Sequence, residues 1–228
     1  MEPRTASAND AVAARLATRR TRSLLRCGAL AGPIFIAVVV IQMATREGFD
    51  LSRHPISLLA AGHGGWVQAA NFVLAGVLAF TSAFGVARAI PTGPGRRWAP
   101  ILVGVFGVGL VIGGVFPAGA ALGFPPGTPD GIPTEVEFPA VLHAVAPPIA
   151  FTAIVIAALV VARRLATEDR RIAAGVTVAI AVIGYALSLP FGPGASIRLF
   201  IGIALVFGWL TWWTSSLARS AGEADLSR

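Results

Sequence analysis

This chain predicts an all-α integral membrane bundle of six transmembrane helices with both termini in the cytoplasm. Three observations predict it. Charged residues make up only 13% of the 228 residues, and apolar ones 55%; soluble domains carry roughly 25% charged residues. Six apolar runs are each long enough to cross a ~30 Å hydrocarbon core at ~1.5 Å per residue. Fifteen of the eighteen basic residues, all arginine, fall on one side of those runs.

The first run, Cys27–Thr45, follows a tail holding Arg4, Arg15, Arg19, Arg20, Arg22 and Arg26. Its apolar stretch exceeds the 7–15 residues of a secretory signal, and no convincing small-x-small site follows, so it reads as a retained helix. The tail itself, residues 1–23, is basic and rich in Ala, Ser and Thr. It reads as a disordered cytoplasmic arm resting on anionic lipid headgroups. The membrane domain then covers residues 24–217, and 218–228 form a short second tail.

The second run is Trp66–Ala87, followed by Arg88, Arg96 and Arg97. The third is Trp98–Phe116. Its Gly109 and Gly113 form a small-xxx-small pair, with Gly104, Gly107 and Gly114 as further points of close approach. Packing within the chain is the expectation, and a helix–helix oligomer through Gly109 and Gly113 the alternative. The fourth run, Ala140–Ala162, contains Pro147-Pro148, as the first contains Pro33. Both helices are expected to kink there. Arg163, Arg164, Arg170 and Arg171 follow it. The fifth and sixth runs are Ile172–Phe191 and Ile197–Leu217, and Arg219 and Arg228 lie in the last tail.

The opposite side holds only Arg46, Arg53 and Arg198. Short loops follow the positive-inside rule, which places both termini in the cytoplasm of a cell membrane. Trp98, Trp209, Trp212 and Trp213 near cytoplasmic ends, and Trp66 near an outer end, read as interfacial anchors.

Several function classes drop out. The arginines flank apolar segments rather than forming one continuous basic face, so no nucleic-acid partner is expected. No phosphate-binding glycine loop is present. Cys27 is the only cysteine, so no intrachain disulfide can form.

All three histidines lie on the outer side. The first outer loop contributes Glu47, Asp50, Arg53, His54 and His63, and the second Asp130, Glu135 and Glu137. His143 lies about one turn inside the fourth helix. An ionisable group within a span is a functional candidate. His54 precedes Pro55 and is biased to an extended conformation, which lets its loop fold back. His143 and His54 are therefore the candidate acid/base pair. Gln68 and Asn71, three apart, share one face of the second helix and should point into the bundle. Arg198 opens the sixth helix at the same depth, where it can pair with Glu135 or Glu137 or hold a phosphate or carboxylate. Gln68, Asn71, Arg198, Asp50, Glu135 and Glu137 form the candidate ligand-binding set. The spacing matches no metal signature, so no metal is expected, and no cofactor is named. His63, among glycines, reads as a solvated loop residue.

The second outer loop holds six prolines: Pro117, Pro125, Pro126, Pro129, Pro133 and Pro139. Its apolar Leu122 and Phe124 would be out of place in a solvated tail. They predict a lid packed on the mouth of the bundle.

The segments HPISLLAAGHGGWVQAANFVLAG, GGVFPAGAALGFPPGTP, AVLHAVA and SIRLFIGIALVFGWL, in that order, resemble a bacterial membrane-protein family known as domain of unknown function 998. The resemblance covers about residues 24–217. It implies a six-helix membrane protein of unsettled activity. It also implies an aspartate shortly after the Phe-Pro pair, near Gly119, where this chain reads Ala118-Gly119-Ala120. Asp130, Glu135 and Glu137 are the nearest substitutes.

The leading functional expectation is a membrane-embedded protein whose outer polar site binds, and in an enzymatic form transforms, a lipid or isoprenoid-like molecule. A non-catalytic assembly subunit is the alternative. A small-solute transporter is the third reading, with only the uncharged Tyr185, Ser188, Thr152 and Ser82 as midplane candidates. Membrane lipids and a hydrophobic small molecule are the expected partners.

Overall fold

The computed structural model describes residues 3–133, 138–192 and 194–226. Helix α1 spans Pro3–Thr45, α2 Gly65–Ala89, α3 Trp98–Val115, α4 Phe138–Thr167, α5 Arg171–Leu187 and α6 Ala195–Leu226. A short 3-10 turn, Ile56–Ala60, lies between α1 and α2. All but α5 are long and apolar enough to cross a membrane. The 17-residue α5 rises about 26 Å, slightly short of a ~30 Å core. It stops at Leu187 rather than at Phe191 because Pro190 disfavours helical backbone at the residue before it.

Each helix packs against its neighbours in sequence, and α6 returns to α1, closing a ring. Phenylalanines fill its centre. Phe35 of α1 stacks on Phe207 of α6 at 4.9 Å between ring centroids and tilts against Phe72 of α2 at 5.2 Å. Phe106 of α3 meets Phe207 edge-on at 5.4 Å. These rings join helices that are not all adjacent and fix the ring as one core.

Glycine decides how closely α2 and α3 approach. A Cβ on Gly76 would lie 2.6 Å from the Gly107 carbonyl oxygen, and one on Gly107 would lie 2.6 Å from the Phe80 nitrogen. The backbones themselves are in contact, as close packing without a hydrophobic drive requires. Gly109 meets Ala150 of α4, and Gly113 lies beside Pro147 and His143. Both glycines of the small-residue pair thus contact α4 within the chain.

Pro33 lies inside α1 and Pro147-Pro148 inside α4, with helix on both sides of each. Two expectations are corrected. The segment expected as a disordered arm continues α1 from Pro3, because Ala, Arg and Leu are good helix formers and Thr21 and Leu25 are buried. Trp209 and Trp213 are not surface anchors. They are 2% and 3% exposed and stack on each other at 5.3 Å, because positions four apart share a helix face and here that face looks inward. Trp66 and Trp98 do project outward.

Candidate functional site

The end of the bundle that carries the histidines is built in three layers. One is an amide cluster. Gln68 and Asn71 of α2 are both buried, as is Gln42 of α1. Gln42 Nε2 donates to Gln68 Oε1 at 2.7 Å, and Asn71 Nδ2 donates to the same oxygen at 3.3 Å and to the Phe35 carbonyl at 3.1 Å. Three atoms are left over. Gln42 Oε1, Gln68 Nε2 and Asn71 Oδ1 are buried with no hydrogen-bond partner among the described residues. An unmade bond of this kind costs roughly 1–3 kcal/mol. Two acceptors and one donor are thus held in place ready for a polar group.

His143 forms the second layer. Its Nδ1 lies 3.0 Å from the Gly113 carbonyl and 2.9 Å from that of Phe116. Both are acceptors, so Nδ1 carries the proton and shares it between them. These carbonyls sit at the C-terminal end of α3, where helix bonds run out. His143 therefore caps α3 from α4. Its Nε2 keeps a lone pair with no partner among the described residues. Pro147 and Pro148 have no N–H, so the carbonyls of His143 and Ala144 lack their usual helix donors. Phe72 links the two layers: its ring meets His143 at 6.3 Å and Phe35 at 5.2 Å.

The lid is the third layer. Ala121 and Phe124 bridge across a tight turn in which Leu122 and Gly123 both have positive φ. That turn buries Phe124 completely against Phe49 and His54, at 5.4 Å each, with the Arg46 guanidinium 5.4 Å above its ring. Arg46 in turn donates to the Leu59 and Ala61 carbonyls, at 3.3 and 2.7 Å. The expectation of a packed lid agrees with this placement of Phe124.

His54 holds the lid. The Asp50 main-chain N–H donates to Nδ1 at 2.9 Å, so Nε2 carries the proton and donates to the Leu122 carbonyl at 3.0 Å. Both nitrogens are engaged with main chain. Arg53 reinforces the clasp with an ion pair to Asp130 at 2.8 Å. That pair is exposed and contributes little. Asp50 closes its own loop: its carboxyl accepts from the Ser52 N–H at 2.8 Å. Hydrogen bonds from the Ser52 side chain and backbone hold it below the ordinary carboxylate range. Asp50 is therefore ionised at neutral pH and is no proton donor there.

The candidate residues thus separate. Gln68 and Asn71 come together, joined by Gln42. His143 stands beside them across Phe72. His54 belongs to the lid, with no hydrogen bond or ring contact to His143 among the described residues. Arg198 donates to the Phe191 carbonyl, and Ser196, on the same turn of α6, donates to the Arg53 carbonyl at 3.3 Å. Glu135 and Glu137 lie outside the described residues. His63 is exposed. No group of three or more metal-ligating side chains occurs among the described residues. Sequence reasoning missed Gln42, Arg46 and the clasp role of His54. An amide inside an apolar run was the available signal for Gln42.

An apolar groove of about 700 Å³ runs along α2, α3 and α4. Phe84 and Ile101 line it toward the arginine-rich end, and Ile112, Leu142 and Ala146 toward the histidine-bearing end. Pro100 to Ile112 spans about 18 Å at 1.5 Å per residue. Leu142 precedes His143 and Ala146 lies about one turn beyond it, while His143 itself is buried and not part of the groove wall.

Among known proteins, a family described as "Protein of unknown function (DUF998)" matches residues 29–216. No curated protein and no solved structure matches the chain.

Proposed function

Because the chain belongs to the DUF998 family, whose activity is not established, its function has to be argued from the site, and we propose that it is a membrane-embedded receptor for a lipid or isoprenoid-like amphiphile. In this reading it crosses a bacterial plasma membrane six times with both termini cytoplasmic. The arginine distribution supports the orientation. The apolar character of α5, whose Ile172 and Val182 face outward, supports the sixth crossing.

The observation that carries the reading is the set of buried amide atoms of Gln42, Gln68 and Asn71 that have no partner among the described residues, in a bundle that also carries an apolar groove on α2, α3 and α4. A tail about one leaflet long fits the groove, whose walls are apolar. The polar head would be taken up within the bundle, where the Nε2 lone pair of His143 is an acceptor for a hydroxyl. Beside it, the unsatisfied amide atoms of Gln42, Gln68 and Asn71 offer two acceptors and a donor. Arg198 adds positive charge at the rim. The Phe124 lid excludes water above the head and so strengthens each of these bonds. His54 serves the lid, and its ring is not free for proton transfer while the clasp is closed.

Native mass spectrometry on protein released gently from its own membranes tests this. The expected result is a stoichiometric amphiphile on the wild-type chain that is lost from Gln68→Leu and His143→Ala while the helical bundle persists. A bare wild-type chain, or bulk phospholipid retained equally by the variants, would overturn the reading.

A further inference from the structure

A second groove lies at the opposite, arginine-rich end of the bundle. It encloses about 420 Å³ between the start of α3 and the last turns of α4, with Trp98, Ile156, Leu159, Val160 and Arg163 in its wall. Arg163 is twenty residues beyond His143 on α4, about 30 Å away along the helix. The two places are therefore a membrane thickness apart, and the inference is independent of the outer site.

The wall is graded. Ile156, Leu159 and Val160 offer an apolar strip, Trp98 an indole of the kind that settles at the interface, and Arg163 a cation at the end. Arg97 adds a second cation, its guanidinium 5.5 Å over the Trp98 ring. Neighbouring Arg164 is already engaged. It donates to the Thr92 and Pro94 carbonyls and pairs with Glu168 at 2.8 Å, which pins the 90–97 loop against α4. Arg163 and Arg96 have no ion pair among the described residues. The groove thus has a fixed frame and uncompensated positive charge.

We propose that this groove binds an anionic glycerophospholipid. Its phosphodiester lies between Arg163 and Arg97, and one acyl chain runs along Ile156, Leu159 and Val160. Guanidinium groups recognise phosphate oxygens bidentately. A zwitterionic lipid would bring an ammonium group into the same positive field. A second copy of this chain would bring like charge against like charge, since the chain carries a net +7. Charge therefore selects the anionic lipid over both.

Quenching of Trp98 by brominated lipid tests this directly. The full chain is reconstituted in phosphatidylcholine bilayers with rising fractions of brominated phosphatidylglycerol or brominated phosphatidylcholine. The Trp98 signal is the difference between wild type and Trp98→Phe. Brominated phosphatidylglycerol should reach half-quenching at a mole fraction about fivefold lower per engaged arginine, the factor one basic side chain contributes at an anionic surface. Arg163→Gln with Arg97→Gln should remove the preference, and Arg163→Lys should keep most of it. Salt at 1 M, which shortens the screening length to about 3 Å, should collapse the preference in the wild type. That arm stands even where the double variant does not reconstitute. Equal quenching by both lipids, a preference that survives both the double variant and high salt, or a Trp98 shielded from both lipids by a second copy would overturn the proposal.

Discussion

The two nitrogens of His143 have different tasks, and two substitutions separate them. Asparagine places its amide near the Nδ1 position and glutamine places its own near Nε2. His143→Asn should keep the donor to the Gly113 and Phe116 carbonyls and so retain most stability. His143→Ala strands both carbonyls and should cost roughly 1–3 kcal/mol in a denaturation midpoint series. The amide cluster behaves as a unit. Gln68→Leu removes the acceptor shared by Gln42 and Asn71 and should cost about as much. Adding Gln42→Leu should then cost less than the sum of the single changes, because a stranded donor disappears with it. A strictly additive pair would show that the cluster is not coupled. At this scale the sequence was partly legible. The spacing of Gln68 and Asn71 places them on one face, but Gln42 comes from another helix and no local pattern pairs it with them. His54 was legible as a residue and not as a role, since its partners are main-chain groups, one of them sixty-eight residues away.

Among the elements, the lid and the α2–α3 contact make opposite predictions. Phe124 anchors a loop, so Phe124→Ala should free residues 117–133 locally. Proteolytic nicking in that segment should rise sharply while the melting of the helices stays nearly unchanged. A large loss of global stability would mean that the lid belongs to the core. Gly107 instead lies where two backbones touch. Gly107→Val should abolish the folded yield, whereas Gly175→Val, which faces open space, should leave it near wild type. The helices themselves were readable because an apolar run of span length admits few alternatives in lipid. Their ends were not. The extension of α1 back to Pro3 depends on packing of Thr21 and Leu25, and Gly222 of α6 lies against Arg22. The early stop of α5 depends on Pro190. The inward turn of Trp209 and Trp213 is set by tertiary packing, which a preference for the interface does not determine.

For the whole molecule, orientation rests on charge. In a Cys27→Ala background, His63→Cys and Phe191→Cys should react with a membrane-impermeant maleimide on intact cells, and Asp169→Cys and Ser220→Cys only after permeabilisation. Labelling of Phe191→Cys and Asp169→Cys from the same side would show that α5 does not cross. The ring of six helices leaves the histidine-bearing end with unsatisfied amides, a capping imidazole and a clasped lid, and the arginine-bearing end with bare cations. That asymmetry is why the amphiphile is placed at the histidine end. The most direct measurement is native mass spectrometry of wild type, His143→Asn and His143→Gln from the same membranes. The account predicts one bound amphiphile on the wild type, its loss from His143→Asn although that variant stays folded, and its partial retention by the less stable His143→Gln. Full retention by a folded His143→Asn would contradict it.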